Sequence, residues 1–183
     1  SPESDDLVAN PRLTANGDST GPSYLSPPTP GGPNSNSFVP GPRIGGVTHL
    51  PALPGDNDPL TVSATVTPRL GGLATVSLVY RVMFGGEVTL PMSDTGGSVF
   101  TATIPAAASS RGQMVRWRVV ATDSLANESR DPPFLDNEGT NQSAEYHGTV
   151  ITDPSIPASL PVYHWFTQDV TSSRNRTGAR ASF

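Results

Sequence analysis

Apolar and polar residues alternate along the middle of the chain, in short runs that turns separate. The run "LTVSATVT", which begins at Leu60, places its leucine, valines and alanine on one side of an extended backbone and its hydroxyl residues on the other. A period of two is typical of a β-strand with one buried face. The same pattern occurs in "LATVSLVYRVMF", "EVTLPM", "SVFTATI", "QMVRWRVVATD" and "AEYHGTVIT".

Turn signals lie between these runs at short and regular spacing. Gly85-Gly86 and the stretch from Asp94 to Gly97 are typical of turns, and Pro105 to Ser110 favours one short helical turn. An excursion rich in Pro, Asn and Asp runs from residue 124 to residue 141, and Asp123 and Asn127 are predicted to cap a hairpin turn at its start. Short strands without helical periodicity predict an all-β fold, an immunoglobulin-like or fibronectin-III-like β-sandwich. We expect Trp117 at the centre of its core.

The first 59 residues have a different composition. Twelve of the 20 prolines lie there, against five in residues 60–152. Such a segment buries too little apolar surface to fold alone. We therefore predict three parts: an extended arm or linker over 1–59, the sandwich over 60–152, and a docking segment or the start of a following domain over 153–183. Extended arms at both ends complete the predicted architecture.

Composition excludes several kinds of chemistry. The chain has no cysteine, which rules out disulfides and thiolate metal sites, and no lysine, which rules out Schiff-base catalysis. It has no apolar run long enough to span a membrane, and we expect no nucleic-acid partner because the net charge is −5. No nucleophile-elbow motif is present, so we expect no enzyme. The absence of an initial methionine and of a signal peptide leads us to expect a processed chain or a piece of a longer one.

The excursion between the last two predicted strands contains the best metal candidate. Asp136, Glu138 and Asn141 carry oxygen ligands at alternate spacing near Gly139, as in a loose calcium loop. The full EF-hand pattern is missing, and acidic turns are common in β-sandwiches. Calcium binding and a plain solvated loop therefore remain alternatives, and we expect no other cofactor.

The most aromatic stretch of the chain, "SIPASLPVYHWFTQDV", follows the last predicted strand. Exposed apolar segments of this kind mark contacts with other folded units, and scattered apolar residues in the arm fit the same role. The candidate docking residues are Phe38, Ile44, Val162, Tyr163, Trp165 and Phe166. Their expected partners are copies of this chain or adjacent domains of a parent protein.

Several of these runs resemble a known family. "LVYRVMFGGEVTLPMSD", "FTATIPA", "GQMVRWRVVATDSLANESRDPP" and "YHGTVITDPSIPASLPVYHWFTQD" are similar to the immunoglobulin-like module that precedes the kinase domain in large secreted bacterial proteins of the spore-coat protein H (CotH) type. "SPPTPGGPNS" resembles the end of the lamin-tail-like domain that often comes first. The resemblance implies that "LPVYHWFTQDV" starts the kinase domain, whose phosphate-binding and metal-binding parts would lie further on, so kinase activity is not expected.

The sequence favours two interpretations of the function, and a third is less favoured. The chain is a non-catalytic, extracellular structural module at the cell surface that assembles into a fibre, surface layer or appendage, or it is a spacer or adhesion domain of a larger secreted protein. The third interpretation is an accessory fragment of a kinase of the CotH type.

Overall fold

The computed structural model of the protein describes residues 41–133, 145–156, 162–174 and 181–182, the last two by their backbone alone. Almost all of the secondary structure in these ranges is β-strand. The strands are β1 (Arg43–Leu50), β2 (Leu60–Thr67), β3 (Leu73–Val82), β4 (Val88–Pro91), β5 (Ser93–Asp94), β6 (Val99–Ile104), β7 (Met114–Asp123), β8 (Glu128–Asp131), β9 (His147–Val150), β10 (Phe166–Thr167) and β11 (Ala181–Ser182). One short helix, α1, covers Val170–Ser173, and a 3-10 turn covers Ala106–Ala108.

Two antiparallel sheets form a sandwich. The first has the order β1-β2-β6-β5, and the second has the order β4-β3-β7-β8, with β9 also paired to β7. The chain changes sheet between β2 and β3, again between β4 and β5, and once more between β6 and β7. This confirms the predicted all-β sandwich.

The alternation read from the sequence determines which side chains fill the space between the sheets. In β2 all four alternate apolar residues are buried, and the β7 residues Val115, Trp117, Val119 and Ala121 are 0–2% exposed. Trp117 is the largest of the fully buried side chains among the described residues, and it lies in the core as the sequence predicts. Burial of a ring of this size removes on the order of 200 Å² from water. The core therefore centres on the middle of β7.

The first strand of the sandwich lies inside the range predicted as an arm. Arg43–Leu50 pairs with β2 in antiparallel register, with Ile44 opposite Val66. The register shifts between Gly45 and Thr48, where Gly46 has a φ of 60°. The sandwich thus begins at β1 and not at Leu60, because the backbone of β1 completes the first sheet.

A second short strand lies within the predicted excursion. Glu128–Asp131 follows the β7 hairpin turn and pairs with β7. Asp123 caps the turn as predicted, because its carboxylate accepts hydrogen bonds from Leu125 N at 2.9 Å and Asn127 N at 2.8 Å. The Asn127 side chain differs from the prediction: its Nδ2 donates to the Asp123 carboxylate at 2.9 Å rather than capping the backbone. These hydrogen bonds lower the pKa of Asp123 below its ordinary value, and the bond from the Asn127 side chain contributes most.

The C-terminal strands form a separate local structure. Strand β10 pairs with β11 and with neither sheet of the sandwich. Asp169 caps α1 between them, since its carboxylate accepts from Thr171 N at 2.8 Å and Ser172 N at 3.1 Å. No helix in the part of the chain that the structure describes has the length and apolar character needed to cross a bilayer.

Candidate functional site

The predicted docking residues divide into buried and exposed ones. Ile44 is 4% exposed and lies in the core, so its assignment as a docking residue needs correction: β1 points this side chain between the sheets. Phe166 is 8% exposed and stacks against His164, with ring centroids 6.1 Å apart. Phe38 lies outside the described residues.

The remaining predicted docking residues are exposed. Tyr163 is 88% exposed, Trp165 69% and Val162 44%, and Val170 nearby is 56% exposed. We call residues 162–174 the C-terminal segment. Large aromatic side chains left in water on a segment outside the sandwich are a common mark of a contact with another folded unit.

The predicted calcium ligands are not described by the structure. Asp136, Glu138 and Asn141 all lie in residues 134–144, outside the described ranges. Within those ranges no group of three or more His, Cys, Asp or Glu side chains is arranged to hold a metal ion. Calcium binding stays a prediction.

Two histidines contact the core tryptophan. His49 on β1 meets the Trp117 ring edge to face at 4.9 Å, and His147 on β9 stacks against it at 6.3 Å. His147 Nε2 lies 2.5 Å from Asp131 Oδ1 on β8. These contacts connect β1, β8 and β9 to the centre of β7.

A cluster that was not predicted from the sequence lies on the outer surface of the second sheet. We call it the arginine face. The register places Arg81 on β3 directly opposite Arg116 on β7, and Arg116 opposite Gly148 on β9. Because alternate residues share a face, these pairings bring four arginines, one tyrosine and one glutamate together. The members are Arg81, Arg116, Arg118, Arg130, Tyr146 and Glu87.

The Tyr146 ring is the centre of this cluster. The guanidinium carbons of Arg118, Arg116 and Arg81 lie 5.1, 5.2 and 5.8 Å from its centroid, within the range of cation–π attraction. The Tyr146 hydroxyl donates a hydrogen bond to Glu87. Arg116 also lies 4.9 Å from the centroid of the Phe84 ring. Aromatic faces thus hold the cationic groups side by side.

Glu87 shows how this face binds a carboxylate. Arg118 donates two parallel hydrogen bonds to the Glu87 carboxylate, one of them from Nη2 to Oε2 at 2.7 Å. The bond from Arg118, together with the Tyr146 bond and the charge of Arg81, lowers the pKa of Glu87 to about 2. Burial and the charge of Arg118 lower the pKa of Arg130, so the cationic groups also repel one another.

A shallow cleft of about 340 Å³ lies between the edges of the two sheets. Its walls come from β4, β5, β6 and the residues beside them. They are Leu90, Pro91, Ser93, Thr101, Ala102 and Thr103. None of these side chains is a carboxylate, imidazole or other titratable group, so these walls offer no acid, base or metal ligand.

Comparison with known proteins leaves the family open. No family model matches the sequence, and no curated protein is significantly similar to it.

Proposed function

We propose that this chain is a non-catalytic structural module of the cell surface. Its β-sandwich is the rigid body, and its C-terminal segment packs on a neighbouring copy of the chain. One observation carries the proposal: Tyr163 and Trp165 are 88% and 69% exposed on a segment that joins neither sheet. The extracellular location is part of the same proposal and is supported by the resemblance to secreted bacterial proteins.

The magnitudes favour weak association. The exposed parts of two such rings amount to about 300 Å², worth about 7 kcal/mol when removed from water. Association costs about 4–15 kcal/mol in lost freedom of motion. The two rings alone therefore support a weak contact, and backbone pairing is the natural supplement. Strand β4 is a suitable receiver, because β3 is its only partner among the described strands.

Light scattering over a wide concentration range tests the proposal. We expect the full chain to exceed its monomer mass of 19.1 kDa as concentration rises. A truncation after Asp153 and a double variant, Tyr163→Ser with Trp165→Ser, should both remain monomeric. The double variant is the matched control, because it keeps the chain length. A constant monomer mass for the full chain, or equal association of the variants, would overturn self-association.

A spacer between domains is the second candidate function. The observation that favours it is the pairing of β10 with β11, which starts a local structure distinct from the sandwich. A two-stranded hairpin is marginally stable alone, so it gains stability by packing on more structure. In this case the full chain stays monomeric, and Tyr163 and Trp165 contact an adjacent domain.

A further inference from the structure

The arginine face concentrates positive charge on one sheet of the sandwich, and Arg116 within it is 9% exposed. Like charges directly opposite each other on neighbouring strands destabilise a sheet. Arg81 and Arg116 are such a pair, with Arg118 one further alternate position along β7. The net charge of the chain is −5, yet four of its 11 arginines are gathered on this one surface.

The Arg81 guanidinium can donate further hydrogen bonds. Its guanidinium lies beside the Tyr146 ring at 5.8 Å and acts on Glu87 through its charge. Its Nε is buried and has no hydrogen-bond partner among the described residues, so a carboxylate of a partner would have to be bound by the two Nη groups. The Arg81 residue as a whole is half-buried. Arg118, in contrast, is already occupied by Glu87.

We propose that the arginine face is the docking surface for an acidic segment of a protein partner, with the Arg81 guanidinium binding its carboxylates. Glu87 shows that this surface can bind a carboxylate, since its own carboxylate accepts hydrogen bonds from the Arg118 guanidinium and the Tyr146 hydroxyl. Arginine and tyrosine are the residue types enriched at the energetic centres of protein interfaces. The proposal does not depend on the C-terminal segment.

The shape of the surface favours a protein over a small anion. Small ligands bind in concave sites that enclose them, whereas the arginine face lies on the outer surface of a sheet. The shallow cleft is elsewhere, along β4, β5 and β6. Nucleic acid is disfavoured because a chain with a net charge of −5 repels a dense polyanion at long range.

Fluorescence anisotropy with a labelled oligoglutamate peptide at low salt tests the proposal. We expect the full chain to bind the peptide and the affinity to fall as salt is added. Arg81→Gln should weaken binding about tenfold, as expected for the loss of a charged hydrogen bond. Arg43→Gln is the matched control, because Arg43 is exposed at the start of β1 and lies outside the arginine face. It should change the affinity less than about twofold.

A second variant keeps the test decisive if Arg81→Gln unfolds the chain. Arg81→Lys keeps the charge but removes the planar fork, and it should weaken binding about threefold. The absence of binding to the full chain would overturn the proposal. Equal losses in the Arg81 and Arg43 variants would do the same, because they indicate non-specific attraction. Tighter binding of single-stranded oligothymidylate than of the peptide would overturn the choice of a protein partner.

Discussion

At the scale of single residues, Glu87 is the clearest case of a side chain whose chemistry depends on the fold. Its carboxylate has a pKa of about 2, against an ordinary value of 4.5, mainly because Arg118 donates to it. A lowered pKa in the folded state stabilises the fold above the ordinary pKa. The contribution disappears as pH falls from about 4.5 towards 2.

We predict that Glu87→Gln lowers the free energy of unfolding by about 1 kcal/mol at neutral pH and by almost nothing near pH 2. The figure is far below the full value of the pKa shift, because the Glu87 side chain is 37% exposed and water screens its ion pair. Urea unfolding at several pH values measures it. Glu128→Gln, an exposed glutamate on β8, is the control. A Glu87→Gln effect that is the same at all pH values would contradict the account.

At the scale of elements, sequence periodicity predicted the strands that carry the core. β2, β3 and β7 each alternate over eight to ten residues, long enough for the pattern to be unambiguous. The proline-rich composition of residues 1–59 places β1 in the predicted arm. Its sequence "RIGGVTHL" contains two glycines, and Ile44 is the one residue of the strand that is buried. β8, "ESRD", has no apolar residue at all. Its place comes from its register with β7, which periodicity does not encode.

β1 supplies the next prediction, because one strand carries both a buried and an exposed aliphatic residue. Ile44→Ala should cost about 2–4 kcal/mol in unfolding free energy, since Ile44 is 4% exposed within the core. Leu50→Ala, at the other end of the same strand, should change it by less than about 0.5 kcal/mol, since Leu50 is 69% exposed.

Chemical denaturation of the two variants beside the unchanged chain gives both values. Equal and small effects would mean that β1 is not part of the sandwich in solution. That result would restore the boundary at Leu60 predicted from composition.

At the scale of the whole molecule, the two candidate surfaces differ in how far the sequence reveals them. The C-terminal segment is recognisable from its aromatic density alone, although the burial of Phe166 follows only from the structure. The arginine face is not recognisable in the same way. The alternation in "QMVRWRVVATD" puts Arg116 and Arg118 on the face opposite to Trp117, but their meeting with Arg81 and Tyr146 depends on pairings between β3, β7 and β9.

Contacts through the two surfaces should also depend differently on salt concentration. The C-terminal segment offers apolar rings, so contacts through it should persist at high salt. The arginine face offers charges, so contacts through it should weaken with salt. A chain that uses both would join copies of itself by one surface and bind an acidic partner by the other.

The central claim is that the C-terminal segment becomes buried when copies of the chain meet. Acrylamide quenching of tryptophan fluorescence, followed as a function of protein concentration, measures this directly. The chain has two tryptophans, of which Trp117 is 2% exposed and Trp165 is 69% exposed. Trp117 is shielded at every concentration, so a change in quenching reports Trp165. The variant Trp165→Phe is the control.

We predict that quenching of the unchanged chain decreases as concentration rises, while that of Trp165→Phe stays low and constant. Quenching of the unchanged chain that remains high up to the solubility limit would contradict the claim.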